Sequence, residues 1–319
     1  MIVLGEREIA GLIGPDDAFE AVERVFAAMA RGEARNFPVV REALEPPGTL
    51  YGFKGGAGPG VLGLKAGGYF PANAGRGIPN HQSTVFLFDP ETGECRAALS
   101  GNLLTALRTA AAAAVSVAHL ARGDARTLGL IGAGHQAPFQ LRAVAAQRPF
   151  ERVLAWNRSP ERLGRLAEEA EALGLAFEAV SPERVAGEAD VIVTIASSVD
   201  ALLPSQPVRP GTHLACMGTD TRGKREVEPA LLARAALFAD EVAQAVTIGE
   251  CQHAVAEGLV AEDAIVPLGA VIAGLHPGRR SEDEITLFDG TGVGLQDLAA
   301  AAAALARAGK DEEAATAAS

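Results

Sequence analysis

The stretch Leu128-Gly129-Leu130-Ile131-Gly132-Ala133-Gly134-His135-Gln136-Ala137 constrains the fold more than any other in the chain. An apolar strand runs into G-x-G-x-x-A, and helical sequence follows. Gly132 permits a tight turn, Gly134 lets backbone approach a pyrophosphate, and Ala137 keeps the helix close to its strand, with the helix N-terminus facing the anion. The plain alternative is a Gly-rich turn that holds nothing. Context favours the ligand, because strands and helices alternate from here on. Thr127–Ile131 leads to a helix after 134, Arg152–Trp156 to a helix from 160 to 173, and Val191–Ala196 and His213–Met217 follow. That alternation predicts an α/β fold, a Rossmann-type doubly wound parallel sheet.

The flanking sequence has another character. Residues 1–35 read as a short strand and then a helix opened by Pro15-Asp16-Asp17. Residues 37–100 are rich in Gly and Pro. Short apolar runs at Leu50–Phe53, Gly63–Ala66 and Thr84–Phe88, with a turn at Asp89–Gly93, predict antiparallel strands. Residues 102–121 form a strong helix by propensity, ended by Arg122-Gly123-Asp124. A last helix is expected over Leu295–Ala308, stopped by Gly309, with a frayed polar tail over 309–319. The expected division is a Rossmann domain, 116–289, inserted into an α+β domain made of 1–115 plus 290–319.

With 28 Lys and Arg against 40 Asp and Glu, the net charge is −12. No basic footprint for nucleic acid is visible. An acidic balance leaves room for a phosphate-bearing cofactor, which is held by local backbone N–H groups and one or two cations. Three scattered cysteines, Cys95, Cys216 and Cys251, show no CxxC spacing. They fit a reducing compartment, so a cytoplasmic location and no metal site are expected. The N-terminus lacks a basic leader and cleavage site, and the alanine-rich stretches are too short or too charged to span a bilayer, so no membrane partner is expected.

The second Rossmann strand ends Trp156-Asn157-Arg158-Ser159. An NAD site usually places an acid there for the ribose 2′-hydroxyl, whereas Arg can neutralise a 2′-phosphate. NADP(H) is therefore the preferred reading, with NAD(H) through other contacts as the alternative. Candidates for the other half of a site are Arg41, Lys65, His81, Arg108 and Asp220. Arg108 sits in an alanine-rich helix, where it is costly to bury unless it meets an anion. Asp220 lies just past the strand HLACMG, at the carboxyl edge of the sheet. Three cations suit a small carboxylate, and Lys65 or Asp220 could exchange a proton with a substrate nitrogen. Each also has a bland reading: Arg41 as a surface charge, Lys65 as a strand residue with a buried stem, Arg108 as an internal salt bridge, Asp220 as a turn former, His81 as a turn or packing residue.

The segments GLKAGGYFP (63–71), NHQSTVFLFDPETG (80–93), GNLLTALRTAA (101–111), GLIGAGHQA (129–137), GTDTRGKREVEP (218–229) and EITLFDGTGVGLQD (284–297) resemble the ornithine cyclodeaminase/mu-crystallin family, over nearly the whole chain. The resemblance implies a Rossmann domain inserted in a substrate-binding domain that dimerises, and an NAD(P)-dependent enzyme acting on α-amino or α-imino acids. Carried over residue by residue, it implies that Arg41, Lys65 and Arg108 bind the substrate carboxylate and that Asp220 is the acid, Lys65 also being catalytic. Thr84 and Arg108 would border the cofactor. Dinucleotide contacts are implied at Gly132, Gly134, His135, Gln136, Asn157, Arg158, Ser159, Ala196, Met217, Gly218 and Lys224. Gly290 stands where relatives often have Ser.

The stretch GTLYGFKGG (48–56) lacks the acid that cyclodeaminases use for the ornithine side-chain amine. HQST and WNRS resemble the ketimine reductases more, while Asp220 differs from mu-crystallin. The first expectation is thus NAD(P)H-dependent reduction of Δ1-pyrroline-2-carboxylate or Δ1-piperideine-2-carboxylate. The alternatives are an oxidative cyclodeaminase or alanine dehydrogenase, and a non-catalytic binder of dinucleotide or a small ligand.

Overall fold

The structure, a computed structural model, describes residues 1–317, with side chains through 309. The chain forms two compact units, Met1–Arg108 together with the segment from Val293, and Thr109–Gly292.

In the first unit, β1 (Ile2–Leu4) precedes α1 (Glu6–Leu12) and α2 (Pro15–Ala30). Gly14 caps α2 and Pro15 takes its first turn, where no N–H is missed. Strands β2 (Arg35–Asn36), β3 (Val40–Leu44), β4 (Thr49–Gly58), β5 (Val61–Tyr69), β6 (His81–Phe88) and β7 (Cys95–Ser100) follow, and then α3 (Gly101–Leu120). The sheet order is β1-β7-β6-β5-β4-β2, with β3 also on β4. All neighbours are antiparallel except β1 and β7. Paired residues share a face, and faces alternate along a strand. One face therefore carries Arg41, Lys54, Lys65, Val85 and Leu99. The other carries Leu44, Tyr51, Phe53, Leu64, Thr84 and Phe86.

The second unit begins within α3 and continues as β8 (Thr127–Ile131), α4 (Ala137–Ala145), β9 (Arg152–Trp156), α5 (Gly164–Ala172), β10 (Ala176–Ala179), α6 (Pro182–Glu188), β11 (Val191–Thr194) and β12 (His213–Cys216). Then come α7 (Pro229–Leu232), β13 (Ala235–Ala239), α8 (Val242–Ile248), α9 (Cys251–Ala256), β14 (Ile265–Pro267), α10 (Leu268–Ile272) and β15 (Ile285–Asp289). The eight strands are all parallel, in the order β10-β9-β8-β11-β12-β15-β13-β14. Every residue of β8, β11, β12 and β15 is buried, as expected of strands covered on both faces. The order reverses at β8, so the crevice for a ligand lies at the carboxyl ends of β8 and β11. The expected helix from 160 to 173 begins as a 3-10 turn over Pro160–Leu163.

The chain returns to the first unit with α11 (Gly294–Ala317). Its Leu295 and Leu298 lie so close to Gly56 and Gly63 that neither could carry a side chain unmoved. The helix therefore covers the face of the first sheet that bears Arg41, Lys54 and Lys65. The stop expected at Gly309 is not there. One glycine costs only about 1 kcal/mol relative to Ala inside a helix, and the Ala, Lys and Glu around it are helix formers. Of the tail expected to fray, residues 318 and 319 lie outside the described residues.

Among the described residues, α3 alone is long and apolar enough to cross a membrane, and 83% of its most apolar window is buried by protein.

Candidate active site

In the first unit, three elements bring opposite charges together. Lys65 comes from β5, Thr105 and Arg108 from one side of α3, and Gln296 and Asp297 from the first turn of α11. Lys65 Nζ donates to Asp297 Oδ1 at 2.9 Å and to Thr105 Oγ1 at 3.3 Å. Nζ also lies 2.9 Å from Asp297 Oδ2, a charge contact out of line for a hydrogen bond. Arg108 Nε donates to Asp297 Oδ1 at 2.9 Å and Nη1 to Gln296 Oε1 at 3.0 Å. Arg108 thus does meet an anion, but the anion belongs to the protein. The bland reading of Arg108 as an internal salt bridge describes this geometry.

Burial shapes the protonation of this cluster. It lowers the Lys65 pKa to about 8, against the attraction of Asp297, and Arg108 and Arg41 push the same way. Asp297 is fully buried, which by itself would raise its pKa, yet Arg108 and Lys65 hold it below its ordinary value, with Lys54 adding to them. The N-terminal turn of α11 also favours the carboxylate. His81 sits beside the same charges. Burial and Lys65 lower it to about 4, so its ring is neutral at pH 7.

Lys65 and Arg108 thus share the Asp297 carboxylate, with the charge of Lys54 also acting on Asp297 and that of Arg41 acting on Lys65. Thr84 does not join them, because the register puts it on the opposite face from Lys65.

Asp297 was not singled out from sequence. A signal existed, since it is an acid among Leu295, Leu298 and a run of alanines. Arg108 presents the same anomaly in α3.

In the second unit, the residues expected to touch a dinucleotide all lie past the carboxyl ends of parallel strands. Gly132, Gly134, His135 and Gln136 follow β8, and Asn157, Arg158 and Ser159 follow β9. Ala196 follows β11, Met217 and Gly218 follow β12, and Gly290 follows β15. Gly132 has φ of 112°, which only glycine adopts readily, and the backbone of Ile195 and Ala196 leaves no room beside it. At Gly134 the space a side chain would fill is empty, and Gln136 Oε1 is buried without a partner. An open position over a helix N-terminus, next to an orphaned acceptor, fits a bound pyrophosphate and its sugar. Asn157 Oδ1 accepts from Ala133 N at 3.0 Å and its Nδ2 donates to Ser159 O at 2.9 Å, so it braces the glycine turn. Arg158 is exposed. Asp220 Oδ1 accepts from Lys224 Nζ at 2.9 Å and from Thr221 Oγ1 at 3.1 Å. Gln252 Nε2 and His253 hold the carbonyl of Lys224.

Comparison with known proteins places the chain in a family. The model of the ornithine cyclodeaminase/mu-crystallin family matches residues 2–311. The iminosuccinate reductase of Paracoccus denitrificans (strain Pd 1222) is 61% identical over 305 residues, 95% of each chain. Its crystal structure in complex with NAD+ superposes with a TM-score of 0.94 at 60% identity, over 98% of this chain and 97% of that one. An archaeal alanine dehydrogenase dimer with bound NAD gives 0.94 at 32% identity over 98% and 97%. The Δ1-pyrroline-2-carboxylate reductase of Thermococcus litoralis, in complex with NADH and L-proline, gives 0.93 at 27% identity over 98% of each chain. With its motifs, its fold and a match over almost its full length, the chain belongs to the ornithine cyclodeaminase/mu-crystallin family and is an NAD(P)-dependent oxidoreductase.

Proposed function

We propose that the protein reduces the imine of an α-keto acid, and that its substrate bears two carboxylates, as iminosuccinate does. The observation that carries this reading is the pair of buried cations, Lys65 and Arg108, held beside each other by Asp297, with Arg41 and Lys54 on the same sheet face. Cations gathered on one face and held in place suit an anionic substrate. One substrate carboxylate suits Arg108, and a second suits the cations of the neighbouring strands. The relative at 61% identity is named for iminosuccinate.

The nicotinamide held by the second unit supplies a hydride when bound. The rest is the work of this chain's own side chains. Arg108 uses two of its five N–H donors on Asp297 and Gln296, which leaves capacity for an incoming carboxylate. Asp297 keeps the Lys65 ammonium and the Arg108 guanidinium in fixed places. Lys65, with its pKa near 8, is charged at neutral pH and acidic enough to pass a proton from Nζ to the imine nitrogen. Asp220 is held by Lys224 as the alternative acid.

The cofactor site accepts both dinucleotides in this reading. No acid at the end of β9 repels a 2′-phosphate, and exposed Arg158 supports NADP(H), while the relatives above were solved with NAD+ or NADH. The working assembly is a homodimer through the sheet face opposite α11. There Leu44, Tyr51 and Phe53 are 45%, 42% and 47% exposed, an apolar patch that a monomer seldom leaves open.

A second reading keeps the cyclic ketimines expected from sequence, supported by the likeness to the pyrroline-2-carboxylate reductase. The test is oxidation of NADH and NADPH by purified protein. The panel holds iminosuccinate (formed from oxaloacetate and ammonia), Δ1-pyrroline-2-carboxylate, Δ1-piperideine-2-carboxylate, and pyruvate with ammonia. The highest kcat/KM is expected with iminosuccinate. A preference for a cyclic imine selects the second reading, and turnover of pyruvate with ammonia alone moves the protein to amino-acid dehydrogenation. Dinucleotide binding with no turnover of any imine overturns the reductase reading.

A further inference from the structure

A group outside the cation cluster and the glycine turn shapes the second unit's crevice. Glu226 is 0% exposed and lies in the loop between β12 and α7. Its Oε2 accepts from Thr194 Oγ1 at 2.7 Å and from Gly218 N at 2.9 Å. Its Oε1 accepts from Ala196 N at 2.5 Å. One carboxylate therefore joins the carboxyl ends of β11 and β12, two neighbouring strands on one side of the crevice. Its own backbone is anchored in turn. Glu226 N donates to Glu250 Oε1 at 2.8 Å, and Glu226 O accepts from Leu202 N and Leu203 N at 2.7 and 2.9 Å. Gly218 is matched to it, because a side chain there would collide with the Glu226 carboxylate and the Ala196 carbonyl.

Burial, with Glu250 beside it, raises the Glu226 pKa to about 8, and burying such a polar group is expensive, so a hydrophobic residue of like volume would fill the space at less cost. This one satisfies two backbone N–H groups that follow strand ends and have no ladder partner there. The two strand ends are also where the chain must hold a fixed shape for a ligand to rest on. We propose that Glu226 is a positioning residue of the dinucleotide site, clamping the Ala196 and Gly218 backbone so that the floor of the crevice is formed before the cofactor arrives. The proposal rests on the reading of the second unit as the dinucleotide site. Glu226 acts through that backbone rather than on the substrate.

The test uses the full chain carrying Glu226→Gln. The amide turns a donor toward the Thr194 hydroxyl or a backbone N–H where an acceptor stood. Two readouts apply: the Kd of NADH and NADPH without imine, and hydrogen exchange of the Ala196 and Gly218 amides in the cofactor-free protein. The expected result is a rise in dinucleotide Kd of about tenfold or more, faster exchange at both amides, an unchanged KM for the imine and a far smaller change in kcat at saturating cofactor. Wild-type Kd with wild-type protection at both amides overturns the proposal, as does a loss confined to imine KM. Should Glu226→Gln fail to fold, Thr194→Val removes one of the three donors without changing shape. A smaller rise in dinucleotide Kd, with faster exchange at Ala196, supports the clamp, and no change in either overturns it. A wild-type protein that binds no dinucleotide defeats the reading of the unit, while amide exchange still decides the clamp.

Discussion

At the scale of single residues, Asp297 has the greatest leverage. It compensates two buried cations, so removing its charge leaves Lys65 and Arg108 with only the neutral partners Thr105 and Gln296. Asp297→Asn is expected to cost about 3–5 kcal/mol of stability, read from denaturant unfolding, and a loss below about 1 kcal/mol would mean that solvent already compensates Lys65 and Arg108. Lys65 makes a prediction about pH. Its folded pKa is lowered to about 8, so the charged form dominates at neutral pH and disappears as pH rises through that value. If Nζ gives the proton, kcat/KM for the imine is level near neutrality and declines through about pH 8. Lys65→Arg, which cannot deprotonate in that range, keeps the carboxylate contact and loses most of kcat. His81 adds no step between pH 5 and 8, because it is already neutral with its pKa near 4. A wild-type profile that stays level as pH rises through 8 would remove Lys65 from the proton's path.

At the scale of elements, the turn between β8 and α4 separates folding from binding. The position beside Gly134 is open, so a methyl group meets no protein atom but stands where a pyrophosphate would lie. Gly134→Ala is expected to leave stability unchanged or raise it by about 0.4–1 kcal/mol, through loss of unfolded-state entropy. The same change weakens dinucleotide binding by about tenfold or more, roughly 1.4 kcal/mol. Thermal unfolding together with a binding titration checks both, and undiminished affinity would refute the pyrophosphate assignment. At the end of β9, Arg158→Ala is expected to lower kcat/KM for NADPH by several-fold and leave NADH unaffected. An equal effect on both cofactors would mean that Arg158 does not read the 2′ position.

At the scale of the whole molecule, the exposed face of the first sheet makes the prediction. Phe53 is nearly half exposed on a face it shares with Tyr51 and Leu44. A Phe53→Glu chain is expected to behave as a monomer in sedimentation, at no cost to the fold, while the wild type is dimeric. A monomeric wild type would remove the homodimer from the proposal.

Much of this molecule is written in local sequence. The strands Thr127–Ile131 and Arg152–Trp156 fall where their apolar runs and flanking breakers placed them, because a strand buried on both faces must be apolar throughout. The glycine turn after β8 was legible because its backbone requirements are met within ten consecutive residues. Strands β10, β13, β14 and β15, like β2, β3 and β7 of the first sheet, carry no such mark. Runs such as the alanine-rich Ala235–Ala239 look alike as helix or strand until a neighbour pairs with them.

What sequence could not contain is partnership between distant residues. Lys65 and Asp297 stand 232 positions apart, and only α11 folding over the first sheet makes them a pair. Glu226 reads as one more surface acid until the ends of β11 and β12 close around it. Backbone geometry and apolar periodicity are local and were legible in the chain. The compensation of buried charge is not local, and it was decided only in the tertiary structure.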